Sequence, residues 1–207
     1  MCSPLTCSGL AYWGVRARKI VSVASARCGP LGSSKILTNA GDDTVTKLRA
    51  SDGVNLGTFQ TGISPYAVAF DGVNVWVVNS GSYTVTKLRA SDGANLGTFP
   101  AGAGFAVAFD RANIWLPDYN NNVVIKLRAS DGANLGTFST GISPQGVAFD
   151  GSSIWVTSVN DDSVTRLRAS DGANLGTFAT GNNPQAVAFD GANIWVANAN
   201  SHSVSRF

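Results

Sequence analysis

Glutamate is missing altogether: all thirteen acidic residues are aspartate. Histidine and methionine occur once each, cysteine three times, and charged residues make up only 14% of the 207-residue chain. Each shortage excludes something. Glutamate favours helices, whereas aspartate competes with them by bonding nearby backbone. An all-Asp acid set beside 23 glycines therefore argues against helical structure. The formal net charge is +2, too mild for a nucleic-acid or membrane-surface partner. No apolar run approaches the roughly 18 residues of a membrane-spanning helix. The first residues also lack the basic stretch and long apolar core of a secretory signal, so compartment stays open. Cys2, Cys7 and Cys28 form no CxxC pair, which fits neither a disulfide framework nor a zinc site. With no calcium loop, P-loop or nucleophile elbow, no metal, cofactor or catalytic residue is expected.

What the chain has instead is repetition. KLRASDG starts at Lys47, Lys87 and Lys126, and the variant RLRASDG starts at Arg166, giving spacings of 40, 39 and 40 residues. A fixed period of this size signals a repeat architecture. One unit contains four short apolar runs: AVAF (67–70), NVWVVN (74–79), TVTKLRA (84–90) and NLGTF (95–99). Asp-Gly joins the first two and Ser-Asp-Gly the last two, both hairpin signals because glycine accepts the positive φ of such turns. Four strands in about 40 residues is the content of one propeller blade. Trp76, Trp115, Trp155 and Trp195 recur in the second strand, with Ile36 in their place in the first unit. Phe70, Phe109, Phe149 and Phe189 close the first strand, and Phe59, Phe99, Phe138 and Phe178 the fourth. Rings at a fixed period are core, buried where sheets stack.

The fold class expected is all-β, a β-propeller of about five four-stranded blades in an open or closed ring. Residues 35–207 form the repeat domain and residues 1–34 a non-repeat N-terminal segment. Leu10 to Val15 is a candidate outer strand for the last blade and Lys19 to Ala24 a candidate inner strand for the first. An open ring would invite self-association through its edge strands.

The segments NVWVVN (74–79), IWVTS (154–158) and NIWVAN (193–198), with Pro65, Pro144 and Pro184 before the inner strands, resemble YVTN/YncE-type β-propeller repeats. That family lies within the wider NHL and streptogramin-lyase-like group. The resemblance covers residues 35–207 and implies a propeller fold. For function it implies little, because the group holds enzymes and binding proteins alike.

Because the units are near copies, their differences are informative. The Asp-Gly turns hardly vary, apart from Arg111 in place of a glycine and Ser152–Ser153 in place of Ala-Asn. The opposite loops diverge: NAGDD (39–43), NSGSY (79–83), DYNNN (118–122), SVNDD (158–162) and NANSH (198–202). Function concentrates on such loops, so Tyr66, Tyr83, Tyr119, Asn122, Gln145, Asp162, Gln185 and His202 are the candidate ligand-binding residues. Asn39, Asn79 and Asn198, with Asp118 and Ser158 in register, are expected to brace loop starts by bonding backbone. His202 is the only histidine. The resembled lyases use a second histidine and a glutamate, and this chain has neither. Arg49, Arg89, Arg128 and Arg168 each precede an aspartate by three residues, which points to local or inter-blade ion pairs. Three functional readings follow: a non-enzymatic module binding a protein or small-molecule ligand, a divergent lyase- or lactonase-like enzyme, and a repeat fragment without independent activity.

Overall fold

The computed structural model describes residues 20–27 and 33–207. Among these there are strands, turns and no helix. The chain divides into two compact units, Met1–Thr98 and Phe99–Phe207. The first holds a sheet of β1 (Ile20–Arg27), β2 (Ser33–Asn39), β3 (Thr44–Arg49) and β4 (Asn55–Gln60). Its second sheet comprises β5 (Pro65–Phe70), β6 (Asn74–Asn79), β7 (Thr84–Arg89) and β8 (Asn95–Pro100), whose last two residues lie past the boundary. The second unit holds three sheets. They are β9 (Ala108–Phe109) to β12 with β10 (Asn113–Asp118), β11 (Val123–Arg128) and β12 (Asn134–Ser139); β13 (Pro144–Phe149), β14 (Ser153–Ser158), β15 (Ser163–Arg168) and β16 (Asn174–Ala179); and β17 (Pro184–Phe189), β18 (Ile194–Asn198) and β19 (Ser203–Arg206). Every pairing is antiparallel between consecutive strands, so each sheet is a meander.

The four strands read from the sequence are present in this order. The first strand of the third sheet is the exception, shrunk to Ala108–Phe109 where the shorter AGAGF segment replaces a full entry loop. Lys19 to Ala24 overlaps β1, which pairs with β2 as the first strand of the first sheet. Leu10 to Val15 lies outside the described residues.

Aspartate builds both hairpin turns. Asp71 Oδ1 accepts the N–H groups of Val73 (2.9 Å) and Asn74 (2.6 Å), closing the first turn. Its Oδ2 accepts the Trp76 indole N–H at 2.9 Å. Asp110 with Trp115, Asp150 with Trp155 and Asp190 with Trp195 repeat the arrangement at 2.7, 2.7 and 2.6 Å. In the other turn Asp52 accepts the Val54 N–H and pairs with the Arg49 guanidinium at 2.9 Å. Asp92, Asp131 and Asp171 do the same with Arg89, Arg128 and Arg168. The arginine pairs are thus local and half-exposed, so water and salt screen them.

The core is made by sheets stacking within each unit. In the first, Ile36 and Val45 pack against Val68, Val75, Val77 and Leu88. In the second, Trp115 and Val124 meet Val147, Ile154 and Val156, while Trp155 and Val164 meet Ile194 and Val196. The lysines two residues before the arginines stitch sheet to sheet. Lys47 Nζ donates to Ala90 O at 2.7 Å, and Lys126 Nζ to Ala169 O and Ser170 O at 2.8 and 2.9 Å. These cross-sheet bonds end on backbone carbonyls. Lys126 is buried and lies 5.0 Å above the Trp115 ring, where the indole face and carbonyl dipoles replace lost hydration.

Candidate binding face

The loops joining second to third strands, and those entering each sheet, leave it at the end opposite the Asp-Gly turns. A fixed set of bonds ties them together. In the first unit, Ser80 N donates to Ser64 O and Gly81 N to Ile63 O, both at 3.0 Å, so the 80–83 loop lies along its own sheet's entry loop. The second unit repeats this with Val159 N to Ser143 O and Asn160 N to Ile142 O. Ala199 N to Asn183 O and Asn200 N to Asn182 O complete the series. A side chain four places into each loop adds a further brace. Ser82 Oγ, Asp161 Oδ2 and Ser201 Oγ accept from the N–H of Ile63, Ile142 and Asn182.

The fifth loop residue is left-handed throughout: Asp43, Tyr83, Asn122, Asp162 and His202 have φ between 49° and 59°. Asp and Asn tolerate this region best. Three of the five also reach forward to the entry loop of the next sheet. Asp43 Oδ1 accepts from Ser64 N at 2.8 Å, Asn122 Oδ1 from Ser143 N at 2.9 Å, and Asp162 Oδ1 from Asn183 N at 2.8 Å. Asn122 and Asp162 thus each hold a structural bond while remaining exposed. Tyr83 and His202 occupy the same place with exposed side chains that carry no carboxylate or amide.

The remaining candidates sit on or beside the first strands. Tyr66, second in β5, is half-buried, and burial raises its phenol pKa. Gln145 and Gln185 hold the same position in β13 and β17, half-buried, with Gln185 Nε2 donating to Asn183 Oδ1 at 2.8 Å. Tyr119 packs edge-to-face on Phe105, centroids 5.9 Å apart. Tyr66 and Tyr83 therefore belong to the first unit, and Tyr119, Asn122, Gln145, Asp162, Gln185 and His202 to the second.

The bracing residues divide differently from expectation. Asn79 Nδ2 donates to the Thr84 and Thr86 hydroxyls at 3.1 and 2.9 Å, and Asn39 and Asn198 do likewise to the third strands of their sheets. The bonds run from side chain to side chain because the carboxamide lies across the sheet and not along the loop. Only Asp118 bonds backbone, accepting from Ala103 N and Asn120 N at 3.2 Å. Ser158 is too short to follow either pattern. Its buried hydroxyl and that of Ser163 have no partner.

Sequence reading missed the forward cap and the Asp–Trp bond. The second had a signal, an aspartate five residues before every tryptophan of the repeat. Among the described residues, no group of three or more His, Cys, Asp or Glu side chains gathers to hold a metal ion.

No protein-family model matches the chain, and no curated protein matches it. Solved structures do. A functionally unknown protein from Desulfotomaculum acetoxidans is similar with a TM-score of 0.73 at 16% identity, covering 89% of this chain and 68% of that one. A streptogramin B lyase is similar with a TM-score of 0.71 at 16% identity, covering 92% and 68%. Kuenenia stuttgartiensis hydrazine synthase is similar with a TM-score of 0.71 at 18% identity, covering 82% of this chain and 53% of that one. The chain thus spans about half the length of the hydrazine synthase chain and two thirds of the other two. At these identities the likeness carries the fold alone. Five antiparallel meander sheets built on one repeat, with these neighbours, make the chain an all-β protein of the β-propeller type.

Proposed function

We propose that the protein is a non-enzymatic binding module of the YVTN/YncE kind, recognising a protein or small-molecule ligand through its variable loops. The observation that supports this most is the contrast within the loops. In three of the five loops the backbone is tied by the same pair of bonds, and in all five the fifth residue is left-handed, while its side chain changes from Asp to Tyr, Asn, Asp and His. A rigid backbone presenting varied side chains loses little entropy on binding, and its tyrosines supply contact area at low cost.

The test is a panel of peptides and glycans against the immobilised protein, with Tyr83→Ala and Tyr119→Ala as variants. A ligand held by the first unit should weaken at least ten-fold with Tyr83→Ala and one held by the second unit with Tyr119→Ala, while the melting temperature moves by no more than about 2 °C, as for surface positions. Failure of the panel to yield a ligand sensitive to either tyrosine defeats the proposal. So does turnover of a streptogramin B or lactone substrate that is lost in His202→Ala.

A further inference from the structure

At the loop end of the first unit two apolar side chains stand in water where the fold does not require them. Ile63 is 57% exposed and Tyr83 54%. The N–H of Ile63 is held by Ser82 Oγ, and in the fifth sheet Asn182 occupies the same place, held by Ser201 Oγ. The left-handed place of Tyr83 is taken in other loops by Asp43, Asn122, Asp162 and His202. Polar residues therefore satisfy both positions, and burial does not account for the apolar ones. The two are neighbours. Gly81 N bonds Ile63 O at 3.0 Å, and a Cβ on Gly81 would stand 2.8 Å from Ile63 Cγ2. The isoleucine thus covers the loop that carries Tyr83 two residues further on. Exposed apolar side chains gathered at one place, unlike scattered ones, mark a contact surface.

The charge around this pair has one sign. Asp42 and Asp43 end the 39–43 loop, which is bonded to the same entry loop: Asp43 Oδ1 accepts from Ser64 N at 2.8 Å and Asp43 O from Thr61 N at 3.0 Å. Among the described residues neither aspartate forms an ion pair. The described cations of this unit, Arg27, Lys35, Lys47, Arg49, Lys87 and Arg89, all lie toward the other end of their strands. Lys47 and Lys87 come nearest, three residues inside β3 and β7. That is roughly 10 Å, about one Debye length at physiological salt. Lys47 Nζ is moreover committed to Ala90 O and Ser91 O beyond the far end of β7. We infer that this corner takes a basic segment of a partner protein, in which a Lys or Arg flanks an apolar side chain. The apolar side chain lies on Ile63 and Tyr83, and the cation faces Asp42 and Asp43. Complementary charge selects the partner and speeds encounter, while the apolar contact holds it. The inference rests on the proposed function and narrows it, giving the first unit's ligand a sign of charge.

The probe is a library of random heptapeptides selected on the immobilised full chain, the winners being resynthesised and titrated by calorimetry at low and high salt. Winners should carry Lys or Arg beside an apolar residue and weaken as salt rises. They should bind roughly ten-fold or more weakly to Ile63→Ser and to the double variant Asp42→Asn, Asp43→Asn. An asparagine at 43 keeps the bond to Ser64 N, as Asn122 keeps that to Ser143 N, so the double variant removes charge and leaves the cap. Both variants change surface positions and should retain the wild-type circular dichroism spectrum. Spermidine, a cation without an apolar side chain, should bind roughly ten-fold or more weakly than the winners. Winners that lack a cation, or that bind both variants as well as wild type, overturn the inference, as does spermidine binding as tightly as the peptides. So does a dimer in light scattering that Ile63→Ser dissociates, since a second copy would then cover the corner. A neutral winner lost with Tyr83→Ala overturns this inference alone and leaves the loops as the recognition surface. A chain that selects neither peptide nor glycan defeats both.

Discussion

Single residues that depart from the repeat show what each position requires. Gly72, Gly151 and Gly191 occupy the first turn with φ of 100–103°, and Arg111 stands in the same place at 83°. A side chain in this region costs about 1–2 kcal/mol, offset in part by the stacking of Arg111 on Phe149 at 5.9 Å. Arg111→Gly should therefore raise stability by about 1 kcal/mol, a gain of roughly 2–4 °C in Tm for a chain of this size. A lower Tm would mean that the stacking outweighs the strain. Ser158 makes the complementary case, since an asparagine there can donate to Ser163 and Thr165 as Asn79 does to Thr84 and Thr86. Gly141 passes over Ser158 as Gly62 passes over Asn79, so the space matches. Removing the Ser158 hydroxyl and giving that of Ser163 a partner predicts that Ser158→Asn stabilises by about 1 kcal/mol in urea unfolding, and destabilisation would contradict it. Neither departure could be weighed from sequence, because the cost lies in a φ angle and in an orphaned hydroxyl.

At the level of the element, strands and turns were legible because three signals coincide: alternating β-branched residues, Asp-Gly turns and a fixed period. The chemistry of the turns was less so. Asp150 sits where burial alone would raise its pKa, yet the Trp155 indole and the Ser152 and Ser153 N–H groups hold it below the usual carboxylate value. The Trp195 indole, with the N–H groups of Asn193 and Ala192, lowers Asp190 further. A carboxylate with a depressed native pKa contributes stability above its unfolded value of about 3.9, and that contribution is lost as pH falls through the native pKa. The urea midpoint should thus be flat from pH 7 to 5 and drop between about pH 4 and 2, less steeply in Asp150→Asn. An unchanged midpoint at pH 2 would show that the indole bonds contribute nothing. Between sheets, Lys126 predicts the opposite of an ordinary surface lysine. Lys126→Ala removes a charged donor's bonds to the carbonyls of half-buried Ala169 and exposed Ser170, at a cost of about 1.5–3 kcal/mol. A cost below about 0.5 kcal/mol in chemical unfolding would show that the cross-sheet bond carries no stability.

For the whole molecule, the repeat made five sheets and their core legible, while the candidate residues were legible only as places where copies differ. Difference alone does not separate contact from support. Asp162 and Asn122 cap the next entry loop, Tyr83 and His202 share their position without a carboxylate or amide, and only the hydrogen bonds distinguish the two kinds. On the proposed function these loops, and not the Asp-Gly turns at the other end of each sheet, are the recognition surface. Backbone and side-chain NMR of the protein titrated with the best ligand from the panel tests it most directly. Shifts should concentrate at Tyr66 and Tyr83 for a ligand of the first unit, or at Tyr119, Gln145, Gln185 and His202 for one of the second, and spare Asp71, Asp110, Asp150 and Asp190. Shifts centred on those aspartates and their turns would contradict it.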